Sequence, residues 1–148
     1  VVRLVGSEMC IRDSGSSIGP FARLRNNVNV GKDTKIGNFV ELKNSSLEND
    51  VKISHLSYIG DAEIQDSANI GAGTITCNYD GVNKHKTTIG KRSFIGSNTS
   101  LIAPINIGND ASIAAGSSIS KDVDSNSLAI TRAPIRFITN WSKKFKKR

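Results

Sequence analysis

Aliphatic side chains recur along this chain with a period of six. The series runs Ile18, Leu24, Val30, Ile36 and Leu42, steps once by five to Leu47, and continues to Ile53 and Ile59. A second step of five leads to Ile64 and Ile70. After a break over 76–88 the series resumes as Ile89, Ile95, Leu101, Ile107, Ile113 and Ile119. This period is neither the 3.6 of a helix nor the 2 of a lone strand. It fits short strands, each one flat side of a triangular coil, with the aliphatic residue inward and turn residues at the corners. Gly follows the aliphatic position at Gly19, Gly31, Gly37, Gly60, Gly71, Gly90, Gly96 and Gly108. Three hexads close one coil, so residues 18 apart stack along the axis. Stacking buries a continuous core that no single coil could bury alone. The fold class is therefore all-β: a parallel β-helix of hexapeptide repeats, roughly five triangular coils over residues 15–130. A loop protrudes at 76–88, and a basic C-terminal tail occupies 131–148.

The two ends read differently. Val1–Ser14 shares no pattern with the repeat, and Leu4–Ser14 back-translates into a sequencing-library transposon adapter. These residues are expected to be non-native. Cys77 is then the native thiol, and so few cysteines make no disulfide framework, which points to a reducing cytoplasm. Past Ile119 the period decays. Ile138, Trp141 and Phe145 are spaced for a short helix, although an extended tail packed on a neighbouring subunit fits equally.

Charge narrows the function. The 148 residues carry 20 basic and 13 acidic side chains, a net +7. Five of the positives are Lys143, Lys144, Lys146, Lys147 and Arg148, which leaves the body at +2. A nearly neutral body argues against a nucleic-acid face. No apolar run approaches the length of a membrane-spanning helix, and no signal peptide is evident.

The chemistry-bearing residues are few. His55 lies two past the inward Ile53, so it is expected to point outward beside Tyr58. With an ordinary pKa of about 6.5 it would suit a general base, although an exposed His is more often a bystander. Arg25 and Lys43 each follow a core leucine and stack on one face, which fits either an anion site or solubilising charge. Glu41 is placed to orient or balance them. Zinc is not expected, because a catalytic site needs about three protein ligands and the second histidine, His85, lies in the loop.

Four strings occur together and in order: Ile-Gly-Pro-Phe-Ala-Arg-Leu-Arg (18–25), Gly-Asn-Phe-Val-Glu-Leu-Lys (37–43), His-Leu-Ser-Tyr-Ile-Gly-Asp-Ala-Glu-Ile (55–64) and Asn-Ile-Gly-Ala-Gly-Thr-Ile-Thr-Cys-Asn-Tyr-Asp-Gly (69–81). Over residues 15–134 the chain closely resembles the C-terminal acetyltransferase domain of the bacterial bifunctional N-acetylglucosamine-1-phosphate uridyltransferase/glucosamine-1-phosphate acetyltransferases. The resemblance implies left-handed coils, a cytoplasmic homotrimer with active sites between subunits, and acetyl-CoA as co-substrate, with no metal needed for acetyl transfer. The reaction implied is N-acetylation of glucosamine 1-phosphate, on the way to UDP-N-acetylglucosamine for peptidoglycan and lipopolysaccharide. His55 would be the general base. Arg25 and Lys43 would hold the sugar phosphate, Tyr58 and Asn69 the sugar, and Lys84 would reach a neighbouring subunit's site. Ala72, Asn78, Tyr79, Ser97, Ala115 and Arg132 would line the acetyl-CoA site. Uridylyl transfer, with its magnesium, is not expected of these residues, because the family's nucleotidyltransferase domain is missing from them.

Two rivals stand beside this reading. Another hexapeptide-repeat acyltransferase could act on a nucleotide sugar with acyl carrier protein as donor, which Cys77-Asn78-Tyr79-Asp80 disfavours. A structural or ice-binding solenoid would show outward threonine ladders, whereas Arg25, Lys43 and His55 are the outward residues here.

Overall fold

The structure, a computed structural model, describes residues 10–144, with side chains from Arg12 onward. Much of the segment expected to be non-native therefore lies outside the described residues, as do Phe145, Lys146, Lys147 and Arg148. Short strands stack in parallel into three flat sheets. The first face holds Cys10–Arg12, Val28–Val30, Ser45–Leu47, Ala62–Ile64, Thr87–Ile89 and Ile105–Ile107. The second holds Ser17–Ile18, Lys35–Asn38, Lys52–His55, Asn69–Ile70, Phe94–Ile95, Ser112–Ile113 and Leu128–Ala129. The third holds Arg23–Leu24, Glu41–Lys43, Tyr58–Gly60, Ile75–Cys77, Ser100–Ile102 and Ser118–Ile119. The chain is a left-handed parallel β-helix of about six turns.

Every aliphatic residue of the six-residue series is buried. Like sits on like: Ile18 pairs with Ile36, Ile36 with Ile53, Ile53 with Ile70, Ile70 with Ile95 and Ile95 with Ile113. Each of the two five-residue steps removes one residue from the corner between the third and first faces, so the inward register survives. A second inward column, two residues before the first, takes only small side chains over most of the axis: Thr34, Val40, Ser45, Val51, Ser57, Ala62 and Ala68 are all buried. A narrow triangular interior has room for one large and one small residue per side. Most of its buried hydroxyls are satisfied by the corners, as where Thr34 Oγ1 donates to Glu48 O at 2.9 Å, and Thr87 Oγ1 is left without a partner among the described residues.

The insertion is narrower than 76–88. Thr76, one hexad after Ile70, takes an inward position and is buried, and Cys77 closes the strand Ile75–Cys77. The next strand begins at Thr87. Residues 78–86 are what protrudes. At the far end the last strand is Leu128–Ala129, Thr131 still hydrogen-bonds Ser117 and Ser118, and the tail makes one 3₁₀ turn, Trp141–Lys144, with the Lys144 ammonium 5.3 Å from the Trp141 ring centre.

Candidate active site

The corner between the second and third faces carries a column of residues, each two past an inward aliphatic. It reads Asn38, His55, Ala72, Ser97 and Ala115. Asn38 pairs with His55. Farther along, Asn98 N donates to Ala72 O and Gly116 N to Ser97 O, both at 2.8 Å. Arg132 comes back from the tail to donate Nη1 to Ala115 O at 2.9 Å. The register therefore aligns His55 with Ala72, Ser97, Ala115 and Arg132 along one edge. Coils repeat every ~4.8 Å, so His55 and Ala115, three steps apart, are separated by about 14 Å along it. The small side chains leave a linear shelf running away from the imidazole.

His55 is exposed, as its spacing predicts, and faces a hollow of about 220 Å³ whose lining includes Gly19, Gly37, Asn38 and Ser54. The next residue, Leu56, sits at φ 48°, and the matching corner residues Phe21 and Phe39 sit at 61° and 59°. Left-handed backbone at bulky residues costs on the order of 1–3 kcal/mol each and concentrates at functional sites. These three side chains are exposed, and the phenyl rings stack at 5.5 Å. They form an apolar ridge beside the histidine.

The third face supplies cations. Arg25 N donates to Leu42 O, which sets Arg25 against Lys43 in the next coil, and Lys43 pairs with Gly60 in the one after. In the neighbouring outward column Arg23 pairs with Glu41 and Glu41 with Tyr58. Glu41 Oε1 accepts from Arg25 Nη1 at 3.2 Å and lies 4.0 Å from Arg23 Nη1. Glu41 thus balances the arginines, and this face keeps a positive surplus.

The insertion folds back onto that face. Asn78 Nδ2 donates to Asp61 Oδ2 at 2.6 Å and reaches Tyr58 Oη at 3.4 Å. Asp80 organises the tip: its Oδ1 accepts from Val82 N and Asn83 N at 2.8 and 2.6 Å, and its Oδ2 meets His85 Nε2 at 2.6 Å. The His85 hydrogen bond, helped by those two amides, holds the Asp80 carboxyl down to about 2. The Lys84 ammonium sits beside that of Lys43, which pushes the Lys84 pKa below the ordinary lysine value, while Asp61 and Tyr58 oppose the shift.

The structure thus gathers Arg25, Lys43, Tyr58, Asn78 and Lys84 on one face and His55, Ala72, Ser97, Ala115 and Arg132 on the adjoining corner. Asn69 stands apart, on the second face between Lys52 and Phe94. Tyr79 is exposed, its hydroxyl donating to Gly81 O at 2.6 Å. The sequence pattern marks Gly60 only as a repeat glycine and Asp80 only as part of the Cys77-Asn78-Tyr79-Asp80 string, and it gives Asp61 no role. Asp61 falls inside the second five-residue step, and that irregularity was the available signal. Among the described residues no cluster of three or more His, Cys, Asp or Glu side chains is placed to hold a metal.

Residues 86–121 match the family model described as the hexapeptide repeat of succinyl-transferase. The chain is 57% identical over 134 residues to the bifunctional protein GlmU of Thermodesulfovibrio yellowstonii, covering 90% of this chain and 30% of the relative. It is 56% identical over 133 residues to the bifunctional protein GlmU of Francisella philomiragia, with the same coverage. The chain thus spans less than a third of the length of these curated relatives. The fold also matches AntD, an N-acyltransferase from Bacillus cereus solved as a mutant with dTDP-4-amino-4,6-dideoxyglucose and coenzyme A, at TM-score 0.75 and 19% identity over 87% of this chain and 81% of that one. The acetyltransferase domain of PglB from Neisseria gonorrhoeae, in complex with acetyl coenzyme A, matches at TM-score 0.72 and 18% identity over 79% of this chain and 55% of that one. By coil and sequence, the chain has a left-handed β-helix fold like that of these solved structures and is similar to the C-terminal part of the bifunctional GlmU proteins.

Proposed function

We propose that this chain transfers the acetyl group of acetyl-CoA to the amine of glucosamine 1-phosphate. The observation that carries the reading is the meeting of two columns: His55 heads the corner shelf of Ala72, Ser97 and Ala115, and the adjoining face carries Arg25 and Lys43. Identity above 50% to GlmU proteins over nine tenths of the chain supports it.

The substrate amine is protonated near neutral pH and first gives one proton to solvent. The neutral amine then attacks the thioester carbonyl, and His55, exposed at the corner, accepts its second proton as the C–N bond forms. The tetrahedral adduct then collapses, the C–S bond breaks, and the proton passes from the imidazolium to the departing coenzyme A sulfur. Arg25 offers a planar fork and Lys43 a compact charge to the sugar phosphate. Tyr58 and Asn69 orient the sugar. The proposed assembly is a homotrimer with active sites between subunits, and Lys84, beside Lys43 of its own chain, adds to the cations offered to the sugar phosphate. Ala72, Asn78, Tyr79, Ser97, Ala115 and Arg132 line the coenzyme A site. The setting is the cytoplasm.

Thiol release from acetyl-CoA tests this, with glucosamine 1-phosphate compared against UDP-linked amino sugars. Release specific to the monosaccharide phosphate is expected. Release only with a nucleotide-linked sugar would transfer the chain to the rival acyltransferase class.

A further inference from the structure

Asp61 stands where the insertion meets the prism. It occupies the corner between the third and first faces at φ 50°, stacked on Asn44 and Asn27 at 46° and 57°. Its main chain engages both neighbours: Asp61 N donates to Lys43 O at 3.0 Å, and Asp61 O accepts from Thr87 N at 3.1 Å. Its carboxylate accepts from two neutral amides, which leaves its charge unpaired by any cation at salt-bridge distance among the described residues. Oδ1 accepts from Asn44 Nδ2 and Oδ2 from Asn78 Nδ2, each at 2.6 Å. Asn78 opens the insertion and Thr87 follows it, so one residue clamps both roots of the segment that carries Lys84. The same carboxylate borders an open cavity of about 420 Å³ whose lining includes Asn44, Glu63, Lys84, His85 and Lys86. Other anions near Lys84 are already engaged: Glu63 pairs with Lys86 at 2.5 Å, and Asp80 with His85.

We propose that Asp61 is a positioning residue of the sugar-phosphate site: it fixes the insertion by both roots and serves as the counter-charge that lets Lys43 and Lys84 stand side by side. This inference rests on the acetyltransferase reading for its consequence, but not for its geometry. Two ammonium groups at close range repel, and an anion between or beside them offsets the repulsion. Of the groups facing Lys84, Lys43 disfavours its charge while Asp61 and Tyr58 favour it. Removing the Asp61 charge leaves Lys43 dominant, so Lys84 loses its proton at lower pH.

The test is Asp61→Asn, which removes the charge and keeps one acceptor oxygen for Asn78, losing the bond accepted from Asn44. Competitive acetic anhydride labelling of the substrate-free protein, read by mass spectrometry across pH, reports Lys84 directly and needs no enzymatic activity. The Lys84 labelling midpoint is expected to fall by half a unit or more, with Lys121 as an unmoved internal control. In turnover, KM for glucosamine 1-phosphate should rise at least tenfold with KM for acetyl-CoA within twofold, and the alkaline limb of kcat/KM should move to lower pH. Asp61→Glu should recover part of both. A Lys84 midpoint that does not move in Asp61→Asn overturns the proposal, whatever the activity. A midpoint that moves in Asp61→Asn while the wild type shows no transfer to glucosamine 1-phosphate leaves the clamp standing and refutes the acetyltransferase reading instead.

Discussion

Gly60 and Gly37 occupy equivalent steps of the repeat, one past an inward isoleucine, yet adding a methyl group should do opposite things at the two sites. A Cβ on Gly37 would lie 1.8 Å from Ser54 O and 2.6 Å from Ser54 C, both main-chain atoms of the next coil. Main chain cannot turn aside, so Gly37→Ala must separate two coils, at about 1–3 kcal/mol or more. A Cβ on Gly60 would instead meet Tyr58 Oη at 2.4 Å and Asn78 Nδ2 at 2.7 Å, the tips of two side chains. Those tips can move. Gly60→Ala should gain ~0.4–1 kcal/mol from the unfolded chain's lost freedom. It should lose about 0.5–1.5 kcal/mol for each Asn78 hydrogen bond disturbed. With only the long bond to Tyr58 Oη disturbed, net stability stays within about 1 kcal/mol. The displaced tyrosine, however, belongs to the proposed sugar site. One interaction of ~1.4 kcal/mol is tenfold in an equilibrium constant, so kcat/KM for the sugar phosphate should fall about tenfold. Urea unfolding and steady-state kinetics on both variants make the comparison. If Gly60→Ala unfolds as readily as Gly37→Ala, or turns over like wild type, the placement of Tyr58 over Gly60 is wrong.

Two further outcomes follow from the same region. Thr76 Oγ1 accepts from Gly60 N at 2.8 Å, standing in for a ladder carbonyl where the insertion begins. Thr76→Val leaves a buried amide unpaired, at about 1–3 kcal/mol, so Gly60 should exchange its amide hydrogen roughly tenfold faster or more; unchanged protection would show that the hydroxyl is idle. The Asp80 carboxyl is lowered from 3.8 to about 2 in the folded chain, so its contribution is complete above its unfolded value and disappears as pH falls between the two. The Val82 and Asn83 amides should lose protection in that window, and a flat profile would mean the turn stands without the carboxylate.

Much of this molecule was legible in its sequence because one rule governs most of the chain. A narrow parallel prism demands one large aliphatic per side, so Ile18 through Ile119 announce themselves by spacing alone, and the corners tolerate the single-residue slips. Thr76 escaped although it lies one hexad after Ile70, because a polar residue does not extend an aliphatic series; its hydroxyl serves as a main-chain partner's substitute, accepting from Gly60 N. The outward direction of His55 and the alignment of Arg25 with Lys43 were likewise legible, since register fixes both. Their relation to Lys84 was not. The fold-back of residues 78–86 depends on Asp61 bonding Asn44 and Asn78 across coils and on Asp80 bonding within the insertion, with no periodicity to mark either. The separation of Asn69 from Tyr58 also follows only once the faces are assigned.

The most direct measurement is coenzyme A release from acetyl-CoA by wild type and His55→Ala, with glucosamine 1-phosphate, across pH, on protein whose assembly is fixed by sedimentation. The expected result is sugar-dependent release by a trimer, falling 10²-fold or more on removal of the base, with the loss smallest at high pH where the amine is already neutral. Release that persists undiminished in His55→Ala, or none from a folded wild-type trimer, would contradict the assignment of this corner as the catalytic centre.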